Sequence, residues 1–375
     1  MESHMNTDKN TCNSGGHYNG IDALRTFGCI AIVLWHVYAN SGVNIGGYFA
    51  TDILPSFNYL VYLFMMISGF GMCCGYFEKF RNRQIDLDKF YLKRYAKILP
   101  FFALLVLFDI AIEHNLSSLA EGFMELTMVF GFLPYGGLSV IGVAWTLGVI
   151  FVFYITFPFF VFLLSDKKRA WVTFFISIVI QILCALYFFT EKFGVSGAVT
   201  TRTSFISCTP FFLAGGLIYL YREKIAFFVG KHSIISLFLC VVATVGYYLL
   251  PNTIGDYQLI DLKSLLLYIF WLKYAVGTKN KLFCNRATKF VSGISMEIYL
   301  SHMVGYRIIE KIGLVSALGG GLLAYIVSSI GLLVGLMIVI PFIKKFLDWS
   351  IALVEQKIEK RKKYYGTNQS NESTH

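Results

Sequence analysis

Long apolar runs divided by short charged loops make up most of the chain. Ten of these runs read as spans of a hydrocarbon core of about 30 Å: 21–40, 57–77, 97–114, 143–164, 170–190, 204–221, 233–250, 258–276, 290–311 and 320–343. Residues 143–164 and 170–190 carry no charge, and only the Asp166–Arg169 cluster separates them. In lipid the backbone has no water to bond, so helices are the expected spanning element. The pattern therefore predicts an all-α fold, a polytopic membrane bundle of about ten transmembrane helices. Residues 117–135 are apolar but short and are broken near Pro134 and Gly136–Gly137; they read as a re-entrant or interfacial segment.

Charge sets the orientation. Seven Lys and Arg lie in 78–97, three in 165–169, three in 222–232, four in 277–289 and seven after 343. The alternate loops 41–56, 114–142 and 251–257 have none, and 191–203 has only Lys192 and Arg202. Positive loops stay in the cytosol, so both termini are predicted to be cytosolic, in a plasma or inner membrane. An odd number of crossings would break the alternation. A polar cytosolic stretch over 1–19, expected to be disordered, precedes a membrane domain over 20–345. Within the cytosolic tail 346–375 an amphipathic basic helix is expected to reach about 363.

Composition narrows the class. Of 375 residues, 56% are hydrophobic and 14% charged, against about 25% charged in soluble domains. The net charge of +10 resides in the short loops, which argues against a nucleic-acid partner and for the lipid bilayer. Cys29, Cys184, Cys208 and Cys240 sit inside apolar runs and Cys73–Cys74 ends one, so they read as small buried hydrophobes. Residues 1–19 lack an apolar signal segment, and the first span is expected to direct insertion. No internal repeat is evident, which weakens carriers built on inverted repeats.

Ionisable groups within a span cost roughly 2.5–3.5 kcal/mol on insertion scales and point to function. In the first span Arg25 and His36 are eleven residues apart. At 3.6 residues per turn they fall within roughly 20° of one face, about 16 Å apart along the axis. Arg25 reads either as a headgroup-seeking cation or as a ligand for an anion, and Asp22, three residues before it, is placed to pair with it. His36 reads either as a structural histidine or as a neutral base able to take a proton from a hydroxyl. Asp109, Glu113 and His114 are candidate neighbours. Lys93, Arg94 and Lys97 precede Pro100 at the start of the third span, and read either as a topological flank or as a phosphate site. In the ninth span Glu297, His302 and Arg307 cluster; His302 is a second catalytic group or a structural hydrogen bonder. There is no Walker A, HExxH or GxSxG motif, and His36 and His302 lack Cys or carboxylate partners at ligand spacing, so no metal is expected.

The blocks IDALRTFGCIAIVLWH, FMMISGF (64–70), YLKRYAKILPFF (91–102), WTLGVIFVFYITFP (145–158), FFLAGGLIY (211–219) and ISMEIYLSH (294–302) resemble, in order, the integral-membrane acyltransferase family 3. The resemblance implies a ten-helix enzyme that moves an acyl group, acetyl first, from cytosolic acyl-CoA to a hydroxyl of a surface glycan or glycolipid. It places Arg25 and His36 in catalysis, with Asp22 and His302 beside them. It assigns Arg94 and Lys97, with Lys93 adjacent, to the acyl-CoA; Ser68, Trp145, Tyr154 and Glu297 are the residues expected to bind substrate. Lys97 stands where the family's RxxR pattern has its second arginine, and Ile150 and Phe151 stand where many members carry a glutamate. The competing class is a polysaccharide or small-molecule exporter using the same intramembrane charges as a path.

Overall fold

A computed structural model describes residues 17–113, 116–132, 141–189, 203–255 and 257–372. The predicted break at Pro134 and Gly136–Gly137, the loop cations Lys192 and Arg202, His114 and the side chain of Glu113 lie outside the described residues. The described chain is all-α apart from a two-residue hairpin, in which Thr253 pairs with Gln258 and Ile254 with Tyr257.

The main helices of the described residues overlap all ten predicted spans, some spans holding two helices and some helices lying between spans. In order they are α1 (Asn19–Ser41), α2 (Phe49–Arg81), α3 (Leu87–Glu113), α4 (Leu116–Thr127), α5 (Trp145–Leu164), α6 (Lys167–Phe188), α7 (Phe205–Leu220), α8 (Arg222–Lys231), α9 (Ser233–Leu249), α10 (Ile260–Gly277), α11 (Arg286–Gly293), α12 (Ser295–Lys311) and α13 (Leu322–Glu372). Five of these (α1, α2, α5, α6 and α13) are long and apolar enough to cross a bilayer on their own, and α7 with α8 makes a sixth if the bent pair is one span. α4, the predicted interfacial segment, has 12 residues. At 1.5 Å per residue it is too short to cross.

The structure corrects four details of the expected layout. α3 runs unbroken through Pro100 from Leu87, so Lys93, Arg94 and Lys97 are helical residues rather than loop residues. The basic stretch 222–232, expected to be a loop, is the helix α8, bent 74° from α7. The ninth span is two helices, α11 and α12, broken at Ile294. The last span continues without a break into the tail as α13.

α1, α2 and α5 form the centre of the bundle, with 61, 67 and 56% of their apolar windows buried; α6 and α13 lie outside, at 17 and 28%. With no water to drive association within lipid, small residues let helices pack closely. α2 and α7 cross at two glycines. A Cβ on Gly69 would lie 2.2 Å from the Phe212 carbonyl oxygen, and one on Gly215 would lie 2.1 Å from that of Met66. Rings fill the space around this crossing: Tyr62 stacks on Phe211 at 4.1 Å and Phe153 on Phe212 at 4.2 Å.

Candidate functional site

One face of α1 fixes the site. Asp22, Thr26 and Cys29 follow at helical spacing, and each bonds the chain around α11 and α12. Ser292 Oγ donates to Asp22 at 2.8 Å, Thr26 Oγ1 to the Thr288 carbonyl at 2.8 Å, and Cys29 Sγ to the Ser295 carbonyl at 3.3 Å. Asp22 also pairs with His17, Nε2 to Oδ2, at 2.5 Å. The expected Asp22–Arg25 pair is therefore not formed. The carboxylate is taken by a serine 270 positions away, a partner that helical spacing cannot disclose. Among the described residues Arg25 makes no hydrogen bond or ion pair, and its guanidinium lines two cavities.

The first cavity has a volume of about 210 Å³ and lies between α1, α2, α3, α5, α11, α12 and α13. Arg25, Lys97 and Lys344 bring three cations to it and Glu297 a single carboxylate; Ser68, Thr146, Tyr154, Ser292, Ser295 and Tyr299 are hydroxyl-bearing lining residues, and the rest of the wall is apolar apart from Gly293. Lys344 pairs with Glu297 and also donates to the Gly293 carbonyl at 3.3 Å. Ile150, the position of the missing glutamate, lines this cavity, while Phe151 is buried in the core. The second cavity, about 310 Å³, is walled by His17, Asp22, Gly71, Cys74 and Gly75 among others, and meets the first at Arg25 and Ile67.

The histidines lie beyond the first cavity. His36 and His302 face each other with ring centroids 4.8 Å apart. His36 Nδ1 is 2.9 Å from the Ile32 carbonyl, and His302 Nδ1 is 2.6 Å from that of Tyr299. A carbonyl only accepts, so both Nδ1 atoms carry the proton and both Nε2 atoms are the basic ones. His302 is fully buried, and among the described residues its Nε2 has no hydrogen-bond partner. Neither histidine lines the cavity. Tyr299 connects the two regions: its side chain walls the cavity, its ring is 5.8 Å from that of His302, and its hydroxyl donates to the Val143 carbonyl at 3.3 Å.

The other expected residues divide. Asp109, buried and expected near His36, pairs instead with Arg307. Arg94 stays outside the cavity lining. It bonds the Tyr76 hydroxyl, approaches Met72 Sδ at 3.8 Å, and lies over the rings of Tyr76 at 4.5 Å and Tyr154 at 5.7 Å. Lys93 is exposed and also outside the lining, and Trp145 packs against the core beside the lining residues Thr146 and Leu147. The structure thus brings Arg25, Ser68, Lys97, Tyr154 and Glu297 into one cavity and sets His36 and His302 side by side just past it. Sequence reasoning missed Lys344 and Tyr299. Lys344 follows directly on an apolar run, where a cation reads as an ordinary flank. Tyr299 sits inside the YLSH block with no signal but its place there. Among the described residues no group of three or more His, Cys, Asp or Glu stands close enough to hold a metal ion.

Comparison with known proteins adds the family. No curated protein and no solved structure matches the chain. One family model does, described as an acyltransferase domain, and it spans residues 18–343. That span takes in the histidine pair and every lining residue of both cavities except His17 and Lys344, which lie just outside its two ends, and on this match the chain belongs to acyltransferase family 3: it is a multi-pass membrane acyltransferase.

Proposed function

We propose that the enzyme takes an acyl group, acetyl first, from cytosolic acyl-CoA and places it on a hydroxyl of a surface glycan or glycolipid, without a metal. In this reading the chain crosses the plasma or inner membrane ten times with both termini in the cytosol. The basic loops 78–97, 165–169, 222–232 and 277–289 then share one face with the cationic end of the cavity.

The observation that carries the reading is Arg25, unpaired among the described residues, on the same helix face as His36, whose ring lies 4.8 Å from that of His302. The separation along α1 is about 16 Å, comparable to an extended pantetheine arm. Arg25, Lys97 and Lys344 receive the donor's phosphates, and Arg94 acts indirectly by holding Tyr76 and Tyr154. The apolar wall carries the thioester arm inward, and displacement of the Tyr299 side chain admits it to the histidines. Nε2 of His36 then removes the acceptor hydroxyl's proton as that oxygen attacks the thioester carbonyl. A C–O bond forms, the C–S bond breaks, and the proton passes from His36 to the departing thiolate. Transient acylation of His36 itself would use the same Nε2 and end in the same products.

The test is to incubate membranes holding the protein with radiolabelled acetyl-CoA and cell-wall glycan. Label transfer that disappears in His36→Ala supports the proposal. Glycan flux across sealed vesicles without any label transfer would overturn it in favour of an exporter.

A further inference from the structure

A third cavity, about 410 Å³, shares no lining residue with the other two. It lies between α8, α9 and α10, and its wall includes Tyr221, Lys224, Phe228, Val229, Lys273 and Tyr274. Nothing in the acyl-transfer reading uses it.

Its chemistry is two-sided. Lys224 and Lys273 are exposed, and among the described residues neither makes an ion pair or hydrogen bond; the Lys273 ammonium lies 5.9 Å from the Phe270 ring centroid. The nearby carboxylate of Glu223 is turned to Arg222, at 3.3 Å. Deeper in, Tyr274 is only 2% exposed and its hydroxyl is buried without a partner. Among the described residues that hydroxyl has no partner, and an unpaired buried hydroxyl is unfavourable, so a polar atom of an occupant within its reach would relieve the cost. The remaining wall is aliphatic and aromatic apart from Ser236, whose hydroxyl donates to the His232 carbonyl at 2.9 Å.

Location selects the occupant. α8 turns 74° away from α7 and so runs across the bundle rather than through it. At about 100° per residue Lys224 and Lys231 share one side of it with the exposed rings of Phe227 and Phe228, while Arg222 lies opposite, so cationic and aromatic surface border the cavity together. On α9 the side chains of Ile234, Ile235 and Phe238 are exposed as well, so the cavity opens beside acyl chains. Basic pockets between transmembrane helices on the cytoplasmic side suit anionic headgroups. We propose that this groove binds one anionic phospholipid of the inner leaflet. Its phosphate bridges Lys224 and Lys273, a headgroup oxygen accepts from or donates to the Tyr274 hydroxyl, and its acyl chains lie along Phe228, Val229 and α9. The proposal rests on the membrane orientation given above and is independent of acyl transfer.

Native mass spectrometry of the purified full chain tests it, with phosphatidylglycerol or phosphatidylcholine added back after delipidation. One phosphatidylglycerol is expected to remain bound in preference to phosphatidylcholine. Lys224→Ala with Lys273→Ala is expected to weaken that binding about thirtyfold, at about fivefold per lysine. The doubly substituted Lys224→Arg and Lys273→Arg protein is expected to retain it, and Tyr274→Phe to weaken it more modestly. Equal retention of the two lipids would overturn the proposal, as would full retention in the Ala pair whose lipid-free melting temperature matches the wild type. Preferential binding of a long-chain acyl-CoA at these residues would also overturn it, by reassigning the groove to the donor.

Discussion

The Ile32 carbonyl, by holding His36 Nδ1, decides which nitrogen of that ring is the base. A substitution that removes the ring removes the base without touching the cationic cavity. His36→Ala is expected to lower the rate of label transfer by about 10²–10⁴, with the KM for acyl-CoA nearly unchanged and normal amounts of protein in the membrane. His302 is a positioning residue in this scheme. His302→Gln should cost less in rate and should shift the pH profile of transfer, a readout that a purely structural role would leave in place. Asp22 acts differently from either, because its carboxylate ties α1 to Ser292 and His17 rather than to Arg25. Removing it strands the Ser292 hydroxyl within the bundle, so Asp22→Ala is expected to cost about 1–3 kcal/mol of stability, read as a lower melting temperature in detergent. If instead the melting temperature held and only the acyl-CoA affinity fell, the carboxylate would be serving Arg25 after all.

At the scale of elements, apolar length and loop charge placed a helix at every predicted span, because the need to satisfy the backbone in lipid leaves few alternatives. The shortfalls have physical causes. α8 was read as a loop because Arg222, Lys224 and Lys231 dilute its apolar content, yet an interfacial helix needs those cations. The break at Ile294, whose φ of −124° and ψ of 11° leave the helical region, follows Ser292–Gly293, a glycine signal that an apolar run of spanning length hides. The site was legible in part: Arg25 and His36 share a face by periodicity alone, whereas the His302 and Ser292 partners depend on how α12 and α11 dock on α1, which no local spacing encodes. The α2–α7 crossing is likewise a tertiary fact. Gly69 and Gly215 each stand where any Cβ would press into the other helix's carbonyl. Gly69→Val and Gly215→Val should each force the helices apart at a cost of about 1–3 kcal/mol or more. The expected result is a lowered melting temperature and a loss of activity in which the KM for acyl-CoA rises, since Ser68 and Met65 on α2 line the cavity proposed to hold the donor. An unchanged melting temperature in both variants would mean that the helices can part freely and that the crossing does not hold the site.

For the whole molecule, the proposed function separates recognition from chemistry along one axis. Three cations face one carboxylate in the cavity, and the basic imidazole nitrogens lie beyond Tyr299. A separation of this kind has a kinetic signature. Charges that hold the donor equally in ground and transition states affect KM, and groups that act only on the reacting atoms affect kcat. Lys97→Gln and Lys344→Gln should therefore raise the KM for acyl-CoA, by roughly fivefold to tenfold each for a charge-assisted phosphate contact, while leaving kcat within about twofold. Lys344→Gln has a second consequence, since it also frees Glu297 from its ion pair and leaves a carboxylate facing the donor's phosphates. Its KM effect should accordingly exceed that of Lys97→Gln, and Glu297→Gln combined with Lys344→Gln should recover part of the loss. Raising salt should increase the wild-type KM, and less so in either lysine variant, because part of the screened attraction is already gone. A steady-state series in acyl-CoA concentration at two ionic strengths measures all of this at once. If the lysine variants lost kcat and kept their KM and salt dependence, the donor would have to enter elsewhere, with the cavity at the Arg25–Gly71–Cys74 side as the next place to look.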